Sequence, residues 1–167
     1  MILYLLRHAI AVERGSSGYD HDSARPLTPK GERRMRRSAE GMLALGLSYD
    51  LILSSPYVRA KQTADIVAEV CNVRDGAQVS AALAPDGNPR QVIEELNHHH
   101  GARQDILLVG HEPYLSRLIS TLVTGSSALT LVMKKGGLCK LSLDALRFGR
   151  CATMECLLTP RQLRLMA

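Results

Sequence analysis

Apolar residues along this chain fall into two alternating patterns: short unbroken runs, and stripes at helical spacing that each begin beside a proline. Ile2–Leu6, Leu51–Leu53 and Ile106–Val109 are unbroken runs, each too short for a helix and bounded by polar residues. They predict strands buried on both faces. Between the first two, Met35, Ala39, Met42 and Leu43 mark one face of a helix that Thr28 caps, Pro29 opens and Gly46 ends. Ser55-Pro56 opens a second helix with Thr63, Ile66, Val67 and Val70 as its stripe, and Asn88-Pro89 opens a third that runs to Leu96. After Pro113, Leu115, Leu118, Ile119, Leu122 and Val123 share the face of a fourth. A short strand at 78–83, strands over Leu129–Met133, Gly137–Leu143 and Ala152–Leu158, and a last helix from Pro160 complete the pattern.

Strands alternating with helices predict an α/β fold, a three-layer α/β/α sandwich around a mostly parallel central sheet. The closing run of strands adds antiparallel pairing and makes the sheet mixed. Residues 9–27 stand outside both patterns. They are polar, rich in Gly, Ser and Asp, and predict a loop long enough to carry function.

Composition narrows the class. At 167 residues, with 46% hydrophobic and 22% charged content, the chain suits one folded domain over 1–167. Lysine and arginine exceed aspartate and glutamate by 21 − 16, a net +5 that favours anionic partners. With one Phe and no Trp there is no stacking platform for single-stranded nucleic acid, and no nucleic-acid partner is expected. The first apolar run is too short to span a membrane and lacks a signal pattern, so a cytoplasmic monomer is expected. Cys71, Cys139, Cys151 and Cys156 form no CxxC pair and lack zinc-type histidine spacing, and read as reduced thiols. Consecutive residues cannot share a helix face, so His98-His99-His100 before Gly101 reads as a helix end rather than a metal tract. Lys134-Lys135-Gly136-Gly137 reads as a turn, since no GK[ST] pattern accompanies it. Arg33, Arg34, Arg36 and Arg37 make one helix basic, either as a solvated face or as a docking patch for an acidic partner.

Chemistry concentrates where the three buried runs end. Arg7-His8 follows the first, Arg59 lies in the first turn of the helix after the second, and His111 follows the third. In open α/β sheets, strand carboxyl ends and the helix N-termini beyond them form the binding crevice. A neutral imidazole at His8 is a competent nucleophile, and Arg7 disfavours its protonation. Arg59 offers two hydrogen bonds to phosphate oxygens beside a helix end that already favours anions. His111 can donate to a phosphoryl oxygen in the transition state. Each residue also has a plain reading taken alone: a strand cap for His8, a surface partner of Asp65 or Glu69 for Arg59, a helix-end carboxylate for Glu112.

Together, Leu6-Arg7-His8-Ala9, Ser54-Ser55-Pro56 with Arg59-Ala60-Lys61-Gln62-Thr63-Ala64, and Val109-Gly110-His111-Glu112-Pro113 resemble the histidine phosphatase superfamily in order and spacing. Asp22 followed by Arg25-Pro26-Leu27-Thr28-Pro29-Lys30-Gly31 is similar to its small SixA-like phosphohistidine phosphatases. The resemblance covers nearly the whole chain and implies a phosphoglycerate mutase-like fold with no metal or cofactor. It implies that His8 becomes transiently phosphorylated, with Arg7, Arg59 and His111 as the phosphate pocket and Arg25 at its rim. Ala9 stands where the superfamily usually has Gly, a small residue in either case.

Many superfamily members carry an acid for the leaving group; here Glu112, Asp22 and Asp86 are the candidates. An enzyme without a strong acid suits a labile phosphoramidate, so the resemblance points to a phosphohistidine-containing signalling or phosphorelay protein. A phosphatase for small phosphomonoesters and a non-catalytic phosphate-binding module are the rivals.

Overall fold

The continuous apolar runs become central strands because layers of helices cover both faces of the sheet. The computed structural model describes all 167 residues. β1 (Ile2–Arg7), β2 (Leu51–Ser54), β3 (Ala77–Val79), β4 (Asp105–Gly110), β5 (Leu138–Leu143) and β6 (Ala152–Leu158) form one sheet in the order β3-β2-β4-β1-β5-β6. All run parallel except β5, which is antiparallel to both β1 and β6. Side chains alternate across this sheet. Leu3, Leu5, Leu51, Leu53, Ile106 and Leu108 pack on one side with α3 (Pro89–His99) and α4 (Tyr114–Thr124). Tyr4, Leu6, Ile52, Leu107 and Val109 pack on the other with α1 (Pro29–Ala44), α2 (Val58–Val70) and α5 (Pro160–Leu165). This is the three-layer mixed sandwich that the sequence predicts.

Local chemistry sets the element ends. Thr28 accepts a hydrogen bond from the Gly31 N–H and Pro29 opens α1; Asn88 and Pro89 do the same for α3, and Thr159 with Gln162 forms a capping box on α5. His98 and His99 fall in the last turn of α3, as a helix end. Residues 9–27 leave and return through an isolated bridge between Ala11 and Leu27, so the loop is closed at its neck.

Four expectations need correction. Leu129–Met133 forms no strand. β5 already occupies the free edge of β1, and Leu131 and Met133 instead reach the core from a loop. The 78–83 segment is a three-residue strand followed by a 3-10 turn over Ala81–Leu83. α2 begins at Val58 rather than beside Ser55-Pro56, and its buried face is Ala60, Thr63, Ala64, Val67 and Ala68, with Ile66 and Val70 only partly covered. Small residues let α2 lie close to the sheet and rotate its stripe. Leu43, 47% exposed, lies in the last turn of α1, beyond the covering layer.

α1 and α5 touch where Gly41 has no side chain, and a Cβ there would fall inside the Leu163 carbonyl group. Alanine is normally the better helix former by about 1 kcal/mol. Gly41→Ala is therefore expected to reverse the usual sign, lowering urea-unfolding stability by about 1–3 kcal/mol through forced backbone movement.

Candidate active site

Three parallel strand ends bring the predicted residues together. Arg7 is the last residue of β1 and His8 follows it; Ser54 ends β2; Gly110 ends β4 and His111 follows. Arg59 is the second residue of α2. The side chains of Arg7, His8, Arg59 and His111 line a cleft of about 340 Å³ together with Asp22 and Arg25 from the 9–27 loop. The backbone fixes the edge: the His8 N–H donates to the Gly110 carbonyl, and the Gly136 N–H donates to the carbonyls of Arg7 and His8 at 3.0 and 3.2 Å. Gly136 does this at φ +79°, a conformation that favours glycine. The Lys134–Gly137 turn predicted from sequence thus closes one side of the cleft and adds Lys135 to its lining.

His8 is buried, and its orientation is determined by two neighbours. Nδ1 lies 2.7 Å from the Ala9 carbonyl oxygen, which can only accept, so the proton sits on Nδ1. Nε2 then carries a lone pair, and Arg59 Nε donates toward it at 3.3 Å. Burial drives the His8 pKa down to about 3; the Ala9 carbonyl opposes this, while His111, Arg59 and Arg7 add to it. At neutral pH the side chain is a neutral imidazole, held in one orientation by its hydrogen bonds with a lone pair on Nε2. Thr63 fixes this arrangement from α2, accepting from the Ala9 N–H at 3.0 Å and donating to the Arg59 carbonyl at 2.6 Å.

The rest of the pocket is cationic and incompletely paired. Arg7 donates one terminal N–H to the Met133 carbonyl at 2.7 Å, and its buried Nε has no partner. The ring of His111 lies 5.1 Å from that of His8, with Nε2 2.8 Å from Ser55 Oγ and a buried, unpartnered Nδ1. Burial, with Arg59 next in weight, lowers the His111 pKa to about 4, so it too is neutral. A buried polar group left unpaired costs about 1–3 kcal/mol, which an anion among these groups would recover. Tyr57 walls the site, with its ring 5.1 Å from that of His111 and 4.9 Å from Arg59 Cζ.

The three candidate acids part company. Asp22 receives Arg59 on Oδ2 at 2.9 Å, and Arg25 and Arg14 on Oδ1 at 2.6 and 3.0 Å; its backbone carbonyl takes the other terminal nitrogen of Arg59 at 2.6 Å. Burial works to raise its pKa, but the bonds from Arg25, Arg14 and Arg59 outweigh it and hold the carboxyl far below the usual range. An ionised carboxylate has no proton to give, so Asp22 is an organiser of arginines. Glu112 lines the cleft, and its Oε1 accepts the Ser116 N–H at 3.1 Å at the start of α4. Asp86 is exposed and does not line the cleft; its neighbour Pro85 does. Sequence reasoning missed Tyr57, Lys135 and Arg14, and the roles of Ser55 and Thr63. Ser55 and Thr63 stand inside the motifs; nothing in the sequence pattern places the other three beside the pocket.

Known proteins share parts of this sequence and nearly the whole of this fold. The family model for the histidine phosphatase superfamily (branch 1) matches residues 3–83. An uncharacterised protein of Picosynechococcus sp. is 37% identical over 148 residues, 88% of each chain. Phosphohistidine phosphatase SixA of Escherichia coli strain K12 is 28% identical over 130 residues, covering 76% of this chain and 77% of that one. A structure of the protein histidine phosphatase SixA complexed with tungstate superposes with TM-score 0.82 at 25% identity, over 98% of this chain and 99% of that one. The chain belongs to the histidine phosphatase superfamily.

Within this histidine phosphatase, the family-model match spans Arg7, His8, Asp22, Arg25 and Arg59, while His111 and Lys135 lie beyond it. The fold alone is also shared with a putative α-ribazole-5'-P phosphatase from Escherichia coli, TM-score 0.75 at 21% identity over 96% of this chain. The chain is therefore a phosphatase of this superfamily close to SixA, and the fold does not by itself choose a substrate.

Two predictions follow from the electrostatics. His8 and His111 have folded pKa values of about 3 and 4, below the roughly 6.5 of an unfolded histidine. Between these limits the unfolded chain binds more protons, so stability should fall as pH drops from about 6.5 to 4. Urea unfolding should show a steeper loss in wild type than in H8Q/H111Q, by up to about 1.4 kcal/mol per pH unit for each histidine. Asp22 titrates beneath this window and does not contribute to it. Asp22→Asn leaves three arginines facing one another and should cost about 1–2 kcal/mol at pH 7. Tungstate at saturating concentration should stabilise this variant more than wild type, because the anion supplies the missing charge. Equal stabilisation in the two proteins would contradict the organising role of Asp22.

Proposed function

We propose that this protein is a metal-independent phosphohistidine phosphatase, acting on a phosphohistidine-containing signalling or phosphorelay protein through a phospho-His8 intermediate. The observation that carries this reading is the His8 imidazole, with its proton on Nδ1 and its Nε2 lone pair facing Arg59. Substrate phosphate sits among Arg7, Arg59 and His111. His8 Nε2 attacks phosphorus in line, and the bond from phosphorus to the substrate imidazole breaks with its electron pair on the departing nitrogen. Water then attacks phospho-His8; the new P–O bond forms as the P–Nε2 bond breaks and the pair returns to Nε2. Glu112, with its second oxygen unbonded, is the carboxylate able to take the water's proton.

The substrate class rests on what the candidate acids are doing. Asp22 is held ionised and Asp86 is outside the lining, which leaves Glu112 as the one candidate carboxyl at the cleft, and its part in this reading is to take the water's proton. An alkoxide leaving group needs protonation as it departs, whereas a phosphohistidine bond is labile and releases a ring nitrogen that solvent can protonate. The relatives named for phosphohistidine point the same way. Arg25, donating to Asp22 and to the Val12 carbonyl, belongs to the pocket rim. Four free cysteines suit the reducing cytoplasm, and no helix is long and apolar enough to cross a membrane.

His8→Ala should retain the fold by circular dichroism and lose turnover by at least about 10³-fold. Wild type incubated with phosphoramidate should acquire an acid-labile phosphate on His8; tungstate binding without labelling would indicate a binding module instead. A phosphohistidine peptide should exceed sugar phosphates and p-nitrophenyl phosphate in kcat/KM, and the opposite ranking would assign a phosphomonoesterase.

A further inference from the structure

α1 and α5 pack together on one flank of the sheet, and the surface over their contact carries positive charge with nothing opposite it. Arg34, Arg37 and Arg161 are exposed and Arg164 is half-buried, and none of the four forms an ion pair. The rest of this flank is different. Arg36 on α1 is answered by Glu69 of α2 at 2.8 Å, and Lys61 pairs with Asp65 on the same helix. At the unpaired end, Arg37 Nε donates to the Arg164 carbonyl at 3.4 Å, drawing two like-charged residues together. Partial burial lowers the Arg164 pKa, and Arg34 and Arg37 beside it lower it further.

This charge borders a groove of about 490 Å³, lined by Lys134, Thr159, Arg161, Gln162 and Arg164 among others. Lys134 joins the groove to the active site: Met133 before it holds Arg7, and Lys135 after it lines the catalytic cleft. Like charges gathered without partners oppose one another in the free protein. A carboxylate-rich surface would relieve that repulsion on binding.

We propose that this groove docks the acidic surface of the substrate phosphoprotein while its phosphohistidine enters the adjoining cleft. The inference rests on the function proposed above and adds the chemistry that selects the partner. The occupant is a protein rather than a duplex nucleic acid because the groove leads through Lys134 and Lys135 into the cleft that a phosphohistidine must enter, and the Arg36–Glu69 and Lys61–Asp65 pairs end the unpaired charge along the α1–α2 side of the flank.

The test compares wild type with R34Q/R37Q/R164Q on three substrates. These are phosphoramidate and two synthetic phosphohistidine peptides, one bearing an Asp/Glu tract and one Ser/Ala in its place, with the tract at several spacings. Wild type should favour the acidic peptide by roughly tenfold in kcat/KM at low salt, and the preference should fade near roughly 0.5 M salt. The variant should lose the preference and keep phosphoramidate turnover. R161Q, touching one groove residue alone, should reduce the preference partially and keeps the proposal testable if the triple variant does not fold.

Equal rates on the two peptides at every spacing, or an undiminished preference in the folded variants, would overturn the docking site and leave the phosphatase reading intact. Turnover of phosphoramidate but of neither peptide would remove the phosphoprotein reading and the docking site with it. Salt-sensitive retention of wild type, but not variant, on duplex DNA or anionic phosphatidylserine vesicles, with equal peptide rates, would reassign the groove and overturn the proposal.

Discussion

An imidazole taken out of water between guanidiniums can act as a nucleophile only while its surroundings keep one proton on one nitrogen. In this protein the Ala9 carbonyl, 2.7 Å from His8 Nδ1, performs that task. The carbonyl is available because the chain turns immediately after β1, with the His8 N–H tied to Gly110 and the Ala9 N–H tied to Thr63. Burial then suppresses protonation, and the neighbouring positive charges reinforce it. The cationic character of the cleft and the neutral state of the His8 imidazole thus share a cause. Arginines that would attract a phosphate dianion also add to the burial that keeps His8 Nε2 free of a proton.

A second constraint is how so much positive charge is held together before any ligand arrives. Asp22 answers it by bridging Arg59, Arg25 and Arg14 from a loop closed at its neck by the Ala11–Leu27 bridge. The Gln62 side chain also accepts the Leu27 N–H at 2.7 Å, fastening the returning end of that loop to α2. The loop therefore belongs to the electrostatics of the site. Its carboxylate and backbone carbonyl occupy both terminal nitrogens of Arg59, so an anion arriving at this guanidinium would compete with Asp22.

Much of this was legible in the sequence, for identifiable reasons. Buried strands announce themselves as unbroken apolar runs, and proline with a capping residue marks helix starts, so β1, β2, β4, α1, α3 and α5 read correctly. The residues at strand ends followed from fold geometry. Failures occurred where the deciding contact is distant in sequence. Leu129–Met133 has a strand's composition but pairs with no strand, and β1, beside which it runs out, is already flanked by β4 and β5. Lys135 reaches the cleft only because its turn hydrogen-bonds to Arg7 and His8 across the sheet edge. Asp22 looked like a possible acid because a sequence shows a carboxylate without showing the three arginines around it.

The bond from Arg7 to the Met133 carbonyl joins residues 126 positions apart. Closing a contact of such range costs the chain entropy of the intervening loop. The phosphate pocket therefore cannot exist on a partly folded chain: β1 supplies Arg7 and His8, but the segment leading into β5 fixes where that guanidinium sits. A chain emerging from the ribosome would carry Arg7 and His8 long before it had the segment that completes the cleft. Catalytic activity is consequently a stringent reporter of complete folding, more so than helix content or the burial of any one strand.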